Sequence, residues 1–230
     1  MQEELRLLGG PERAKASQRF FKTGKGEYGE GDIFLGVTVP QQRNIARKYK
    51  DNVSLQDIEF LLRNRVHELR FTALEILVMR YEKASEVEKK KIFDFYLNHT
   101  SGINNWDLVD TSAPYIVGNY LLDKDKSILY KLMKSSNLWE KRIAVVSTLA
   151  FIQKGEFEAT LRIVELLLQD KHDLIHKACG WMLREIGKKS TNELEAFLSK
   201  HCNDMPRTML RYAIERFSED KRKAYLSGIL

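Results

Sequence analysis

The stretch Leu69-Arg70-Phe71-Thr72-Ala73-Leu74-Glu75-Ile76-Leu77 decides the fold class. Within it Leu69, Ala73, Leu74 and Leu77 recur at helical spacing and form one apolar stripe. The same spacing returns in Ile143, Val146, Leu149 and Ala150, in Ile163, Leu166 and Leu167, and in Ala178, Met182 and Ile186. Strand-like alternation is nearly absent. The breaks between stripes fall at 98–103, 123–126, 135–137, 154–155, 169–173 and 188–192. They are short and polar, as helix–helix connections are, so the chain is expected to be all-α.

A weak repeat runs through these helices. Arg70-Phe71-Thr72-Ala73, Asp110-Thr111-Ser112-Ala113, Arg142-Ile143-Ala144-Val145, Lys177-Ala178-Cys179-Gly180 and Arg211-Tyr212-Ala213-Ile214 each set a polar residue three positions before a small or apolar one. Their period is roughly 32 to 40 residues, the range of HEAT-like α-solenoids. One helix pair of this kind cannot bury its apolar face alone, so stacking makes the core. The 230 residues accommodate about six antiparallel pairs of roughly 35 residues each. The expectation is a single HEAT-like helical-repeat domain over 1–230, a solenoid whose concave face is made basic by Arg70, Arg142, Lys177 and Arg211. For any one of these cations the plain alternative is a solvated helix end or an ion pair between repeats.

The formal net charge of +6 suits an anionic partner. The N-terminus is charged and lacks the apolar core of a signal peptide, and no apolar run approaches the length that spans a bilayer. Cys179 and Cys202 are expected to be reduced thiols, with Cys179 a small buried helix residue. A soluble cytoplasmic protein is expected, nucleoid-associated if bacterial, with no membrane partner.

One region interrupts the helices. Thr23-Gly24-Lys25-Gly26-Glu27-Tyr28-Gly29-Glu30-Gly31-Asp32 places four glycines in ten residues, which precludes a stable helix, and helix resumes after Pro40 over 41–50. Gly24, Gly26 and Gly29 match a dinucleotide-binding pattern formally, but no parallel sheet surrounds them and no Walker-type motif exists, so no nucleotide cofactor is expected. The loop at about 22–33 reads instead as a basic, aromatic segment whose amides, with Lys22, Lys25 and Tyr28, suit a phosphate backbone; a plain connector is the alternative. His172 and His176 stand four apart with no third ligand indicated, so no metal site is expected.

Asp110 stands where the other repeats carry Arg or Lys, with Trp106 one helical turn before it on the same face. Trp181 and Arg142 occupy equivalent positions in later helices. Two indoles flanking a carboxylate suit a ligand with a flat or sugar-like face and developing positive charge. The alternatives are a core role for Trp181, an anchoring role for Trp106 and an ion pair between Asp110 and Arg142. Asp107 rivals Asp110, but it points about 100° away from Trp106 on a helix.

At these residues the chain resembles the AlkD-like family of HEAT-repeat DNA glycosylases. The matching pieces are Phe34-Leu35-Gly36-Val37 with Pro40 and Arg43, Asn105-Trp106-Asp107-Leu108-Val109-Asp110, Asn137-Leu138-Trp139-Glu140-Lys141-Arg142-Ile143-Ala144 and Gly180-Trp181-Met182-Leu183-Arg184-Glu185. Their order and spacing cover nearly the whole chain. The resemblance implies binding of alkylated duplex DNA on the basic face, and a monomer is expected. It implies release of cationic N3- and N7-alkylated purines by hydrolysis of the N-glycosidic bond, without base flipping and without a cofactor. On this chain Asp110 would be the catalytic carboxylate, Trp106 and Trp181 the indoles on the deoxyribose backbone, and Arg142 a phosphate contact; Lys177 and Arg211 extend the DNA-binding row. The family pattern is broken at Lys22–Asp32, where the best-known members use a helix to grip the DNA. That departure keeps open a non-catalytic nucleic-acid binder on the same scaffold, and a third alternative is a solenoid that binds an acidic peptide.

Overall fold

The computed structural model describes residues 1–228, so the last two residues of the expected 1–230 domain lie outside the described residues. The chain packs as two units, the first over Met1–Ile116 and the second beginning at Val117.

The first unit contains α1 (Gln2–Leu8), α2 (Pro11–Phe20), α3 (Val39–Tyr49), α4 (Leu55–Leu62), α5 (His67–Lys83), α6 (Glu86–Asn98), a 3-10 turn (Thr100–Gly102) and α7 (Trp106–Asp110). Pro40 lies in the first turn of α3, where its missing N–H costs nothing, and Thr38 and Gln41 close a capping box ahead of it. Ser54 with Asp57 and Ser85 with Glu88 start α4 and α6 in the same way. α5 packs against α1, α3, α4, α6 and α7, and its residues from His67 to Val78 are all buried, Leu69, Phe71, Ala73, Leu74, Ile76 and Leu77 among them. Four ionisable side chains, His67, Glu68, Arg70 and Glu75, are buried with them. Among the described residues the one β feature outside the helices is an isolated bridge between Ile33 and Val66.

The second unit contains α8 (Ser127–Met133), α9 (Leu138–Ser147), α10 (Leu149–Gln153), α11 (Glu158–Leu166), α12 (Asp173–Lys189), α13 (Thr191–His201), α14 (Arg207–Ala213) and α15 (Glu219–Ser227). α12 is its centre, packed against α9, α10, α11, α13 and α14. α12 and α14 approach tightly at Gly180, where a Cβ would lie 2.5 Å from both the Met209 carbonyl oxygen and the Tyr212 Cβ.

The class is all-helical, as the periodicity implies. The expected breaks appear, and that at 188–192 shrinks to Ser190, which both ends α12 and accepts from the Glu193 amide at the start of α13. A turn at Thr148 divides the stripe containing Ile143 and Ala150 into α9 and α10. Because the Gly180 contact is with main chain, Gly180→Ala is expected to force α12 and α14 apart and destabilise the protein by about 1–3 kcal/mol. Urea unfolding of the two proteins measures this.

Candidate aromatic and carboxylate groove

α7 is only five residues long. Pro114 has no N–H to give to the Asp110 carbonyl, so the helical ladder is cut one turn later. At the other end the buried Asn105 side chain accepts from the Trp106 amide at 2.8 Å. Leu108 and Val109 face the core, leaving Trp106 and Asp110 on the outer side.

Trp106 and Asp110 line a groove of about 680 Å³ together with Phe20, Phe21, Arg43, Glu75 and Tyr115. One wall is aromatic. Phe21 stacks on the Trp106 indole at 5.3 Å between centroids, and Phe20, 65 % exposed, meets it edge-on at 5.8 Å. Carboxylates line the groove as well. Glu75 accepts from Arg43 Nε at 2.9 Å and from Thr111 Oγ1 at 2.8 Å, and Glu82 and Asp110 are also part of the lining. A concave surface lined by indole and phenyl rings together with carboxylates suits a positively charged, partly apolar group.

Behind the aromatic wall lies a buried charge network that the sequence reading missed. His67, 2 % exposed, places Nε2 2.7 Å from Asp107 Oδ2 and Nδ1 3.2 Å from Asp32 Oδ2. Arg70 Nη2 donates to the same Asp32 oxygen at 2.6 Å, and its Nη1 donates to the Asn64 carbonyl. Burial works against charge on His67, but Asp107 and Asp32 outweigh it and raise its pKa above the ordinary value. Burial also works against the Asp32 carboxylate, yet His67 and Arg70 hold its pKa below the usual value. Asp107 is therefore engaged by His67, and its Oδ1 accepts from the Leu108 amide at 2.9 Å. The clue in the sequence was a run of charges, His67-Glu68 and Arg70, opening a helix that carries an apolar stripe.

The glycine-rich loop differs from the expectation. Its amides face inward: Gly24 donates to Glu27 Oε2 at 2.8 Å, Gly26 to Glu30 Oε2 at 2.7 Å and Gly29 to the Lys22 carbonyl at 3.0 Å. The carboxylates of Glu27 and Glu30 thus take donors that were expected to face phosphate. Gly29 is required where the loop crosses Phe21, since a Cβ there would sit 2.5 Å from the Phe21 carbonyl oxygen. Lys22 and Lys25 are exposed and Tyr28 is half-buried. Beyond the loop, the amides of Leu35, Gly36 and Val37 converge on the Glu68 carboxylate at 2.8–3.3 Å.

The expected row of surface cations is corrected at Arg70, which is 3 % exposed and turned inward to Asp32 because the first three turns of α5 are buried. It is corrected likewise at Arg142 in the second unit, which is 5 % exposed and whose Nη1 donates to the Leu174 carbonyl at 2.7 Å. Lys177 pairs with Asp173 at 2.8 Å, and Arg211 is exposed on α14. The half-buried Trp181 donates from Nε1 to Glu185 at 3.0 Å. His172 accepts from the Leu174 amide at the start of α12, and His176 Nε2 lies 2.5 Å from the Asp170 carbonyl oxygen. Among the described residues no group of three or more His, Cys, Asp or Glu is arranged to hold a metal, and no helix is long and apolar enough to cross a membrane.

Fold and groove together define an all-helical repeat protein with an aromatic and carboxylate site on its short seventh helix. The chain belongs to the DNA alkylation repair enzyme family, whose model matches residues 1–217. A solved structure titled as a predicted DNA alkylation repair enzyme from Enterococcus faecalis is similar over 92 % of this chain and 97 % of its own, with TM-score 0.70 and 17 % identity. AlkD2 from Streptococcus mutans is similar over 90 % of this chain and 98 % of its own, with TM-score 0.56 and 16 % identity. The protein smu.31 from Streptococcus mutans UA159 follows at TM-score 0.55 and 18 % identity, over 78 % of this chain and 93 % of its own. At these identities the likeness is one of fold. A sequence comparison with curated proteins gave no match.

The network has a signed pH dependence. The His67 pKa is raised on folding, so its contribution to stability is complete below its unfolded value near 6.5 and is lost as pH rises through the folded value. Asp32 is lowered, so its contribution is complete above its unfolded value near 3.8 and is lost as pH falls through the folded value. Urea midpoints are therefore expected to fall on the alkaline side of about pH 6.5, and His67→Gln is expected to flatten that limb.

Proposed function

We propose that this chain is a monofunctional DNA glycosylase that hydrolyses the N-glycosidic bond of cationic N3- and N7-alkylated purines in duplex DNA, without base flipping. The observation that carries the reading is that Trp106 and Asp110 line one groove with further aromatic rings and carboxylates. An alkylated purine already bears positive charge. When its bond to C1′ breaks, the electron pair leaves with the base, which departs neutral and needs no protonation. The positive charge passes to the sugar as an oxocarbenium ion. The Asp110 carboxylate stabilises that ion and orients water toward C1′, which then loses a proton to solvent. The Trp106 face attracts the sugar more strongly as its charge grows.

DNA is the partner in this reading. Lys22, Lys25 and Tyr28 on the loop and Arg142, Lys177, Arg211 and Trp181 on the second unit are proposed as its contacts, by resemblance to the family. Exposed Lys22, Lys25 and Arg211 fit phosphate contact most simply.

A second reading, a nucleic-acid binder with altered or lost lesion engagement, is favoured by one feature. The indole of Trp106 is already stacked on Phe21, so one of its faces is occupied before any DNA arrives.

Release of 7-methylguanine from methylated duplex DNA separates the two. The glycosylase reading predicts release by the wild type and a loss on the order of 10²-fold or more in Asp110→Asn, with DNA affinity retained. Folded wild type that binds DNA and releases no base supports the second reading instead. In either case affinity is expected to fall with salt with a log–log slope of about −0.9 per phosphate neutralised.

A further inference from the structure

We propose that His67 is a positioning residue for this site, a cation clamped between Asp32 and Asp107 that fixes the helix carrying Trp106 and Asp110. The proposal rests on the function proposed above.

α7 is too short to hold its own orientation by helical hydrogen bonds, and Pro114 cuts its ladder. What grips its first turn is the Asn105 cap and the contact of 2.7 Å between Asp107 and His67. His67 has little freedom to turn away. Its ring lies 4.6 Å from Phe34 and 5.0 Å from Phe21, between centroids, and Phe21 in turn stacks on Trp106.

The charges around His67 come from three elements. Asp107 faces it from α7, Asp32 from the end of the glycine-rich loop, and Arg70 from one turn along α5. Glu68 beside it is turned to the amides of Leu35, Gly36 and Val37. Two carboxylates against one guanidinium leave one negative charge, which an imidazolium neutralises. A neutral imidazole has a single N–H and can donate to only one of the two carboxylates. The other contact then sets a nitrogen lone pair against a carboxylate oxygen. Loss of the proton therefore loosens either Asp107, which carries α7, or Asp32, which carries the loop.

The glycine-rich loop thereby acquires a role beyond any contact with DNA. Asp32 at its end, also reached by Asn104 at 3.4 Å, closes the clamp from the far side. Through Asp107 a one-proton event at a buried histidine is read out at Trp106 and Asp110.

The test uses Trp139→Phe with Trp181→Phe, which leaves Trp106 as the sole indole of the three. Its emission is followed against pH in the full chain, with circular dichroism recording that the fold persists. A one-proton step on the alkaline side of about pH 6.5 is expected, and it should vanish when His67→Gln is added. Asp107→Asn, which keeps the side-chain shape, should abolish the step as well and stands in if His67→Gln does not fold. A flat emission profile in the folded double variant, or a step that survives His67→Gln or Asp107→Asn, overturns the proposal.

Single-turnover base release gives the functional arm. In the wild type the rate constant should fall on the order of tenfold across the same pH step while DNA affinity stays level, and His67→Gln should be slow and without the step. A rate that does not change across the step overturns the positioning role. If wild type releases no base at any pH, the glycosylase reading falls, and the emission step alone decides the coupling.

Discussion

Burying charge along a helix whose first three turns are covered obliges other parts of the chain to come to it. α5 carries His67, Glu68, Arg70 and Glu75 in its buried surface. Each would be costly without a partner, since an isolated ion in a protein interior is far less stable than in water. The partners come from elsewhere in the first unit. Asp32 and Asp107 answer His67, and Asp32 answers Arg70 as well. The amides of Leu35, Gly36 and Val37 answer Glu68, and Arg43 with Thr111 answers Glu75. The paths of the glycine-rich loop, the segment after it, and both ends of α7 follow from these pairings. The groove is what they leave between them.

That dependence explains what was legible in the sequence. Helical spacing of Leu69, Ala73, Leu74 and Leu77 is a local property, so the all-helical class and most helix ends could be read directly. Pro40 and the four loop glycines mark their own backbone states. The pairing of Trp106 with Asp110 was readable because residues four apart share a helical face. The fate of Arg70 was not. Its repeat position suggested a surface cation, but a stripe of apolar residues does not reveal that the opposite side of the same helix is covered too. Nor could the pattern show that Glu27 and Glu30 would take the loop amides, because those bonds depend on how the loop folds back over Phe21. The role of Asp107 was hidden for the same reason, its partner lying forty residues earlier.

The groove combines two kinds of lining. Aromatic rings offer a surface for an apolar, cationic group, and carboxylates supply charge of the sign that such a group needs. In the proposed reaction the departing base gives up its charge to the sugar, so the site must favour the sugar more in the transition state than in the ground state. Phe21 also ties the groove to the buried network, being stacked on Trp106 at one face and packed against Phe34 and His67 nearby. Substrate chemistry and buried electrostatics therefore meet at one ring.

Stabilisation of positive charge on a deoxyribose through Asp110 is measurable as the affinity of the protein for two duplexes. One carries a cationic pyrrolidine in place of the abasic sugar, the other its neutral tetrahydrofuran counterpart. The cationic duplex is expected to bind tighter by about tenfold or more, and Asp110→Asn to remove the preference while leaving affinity for the neutral duplex unchanged. Equal affinities in the wild type, or a preference that survives Asp110→Asn, would rule out this role for Asp110.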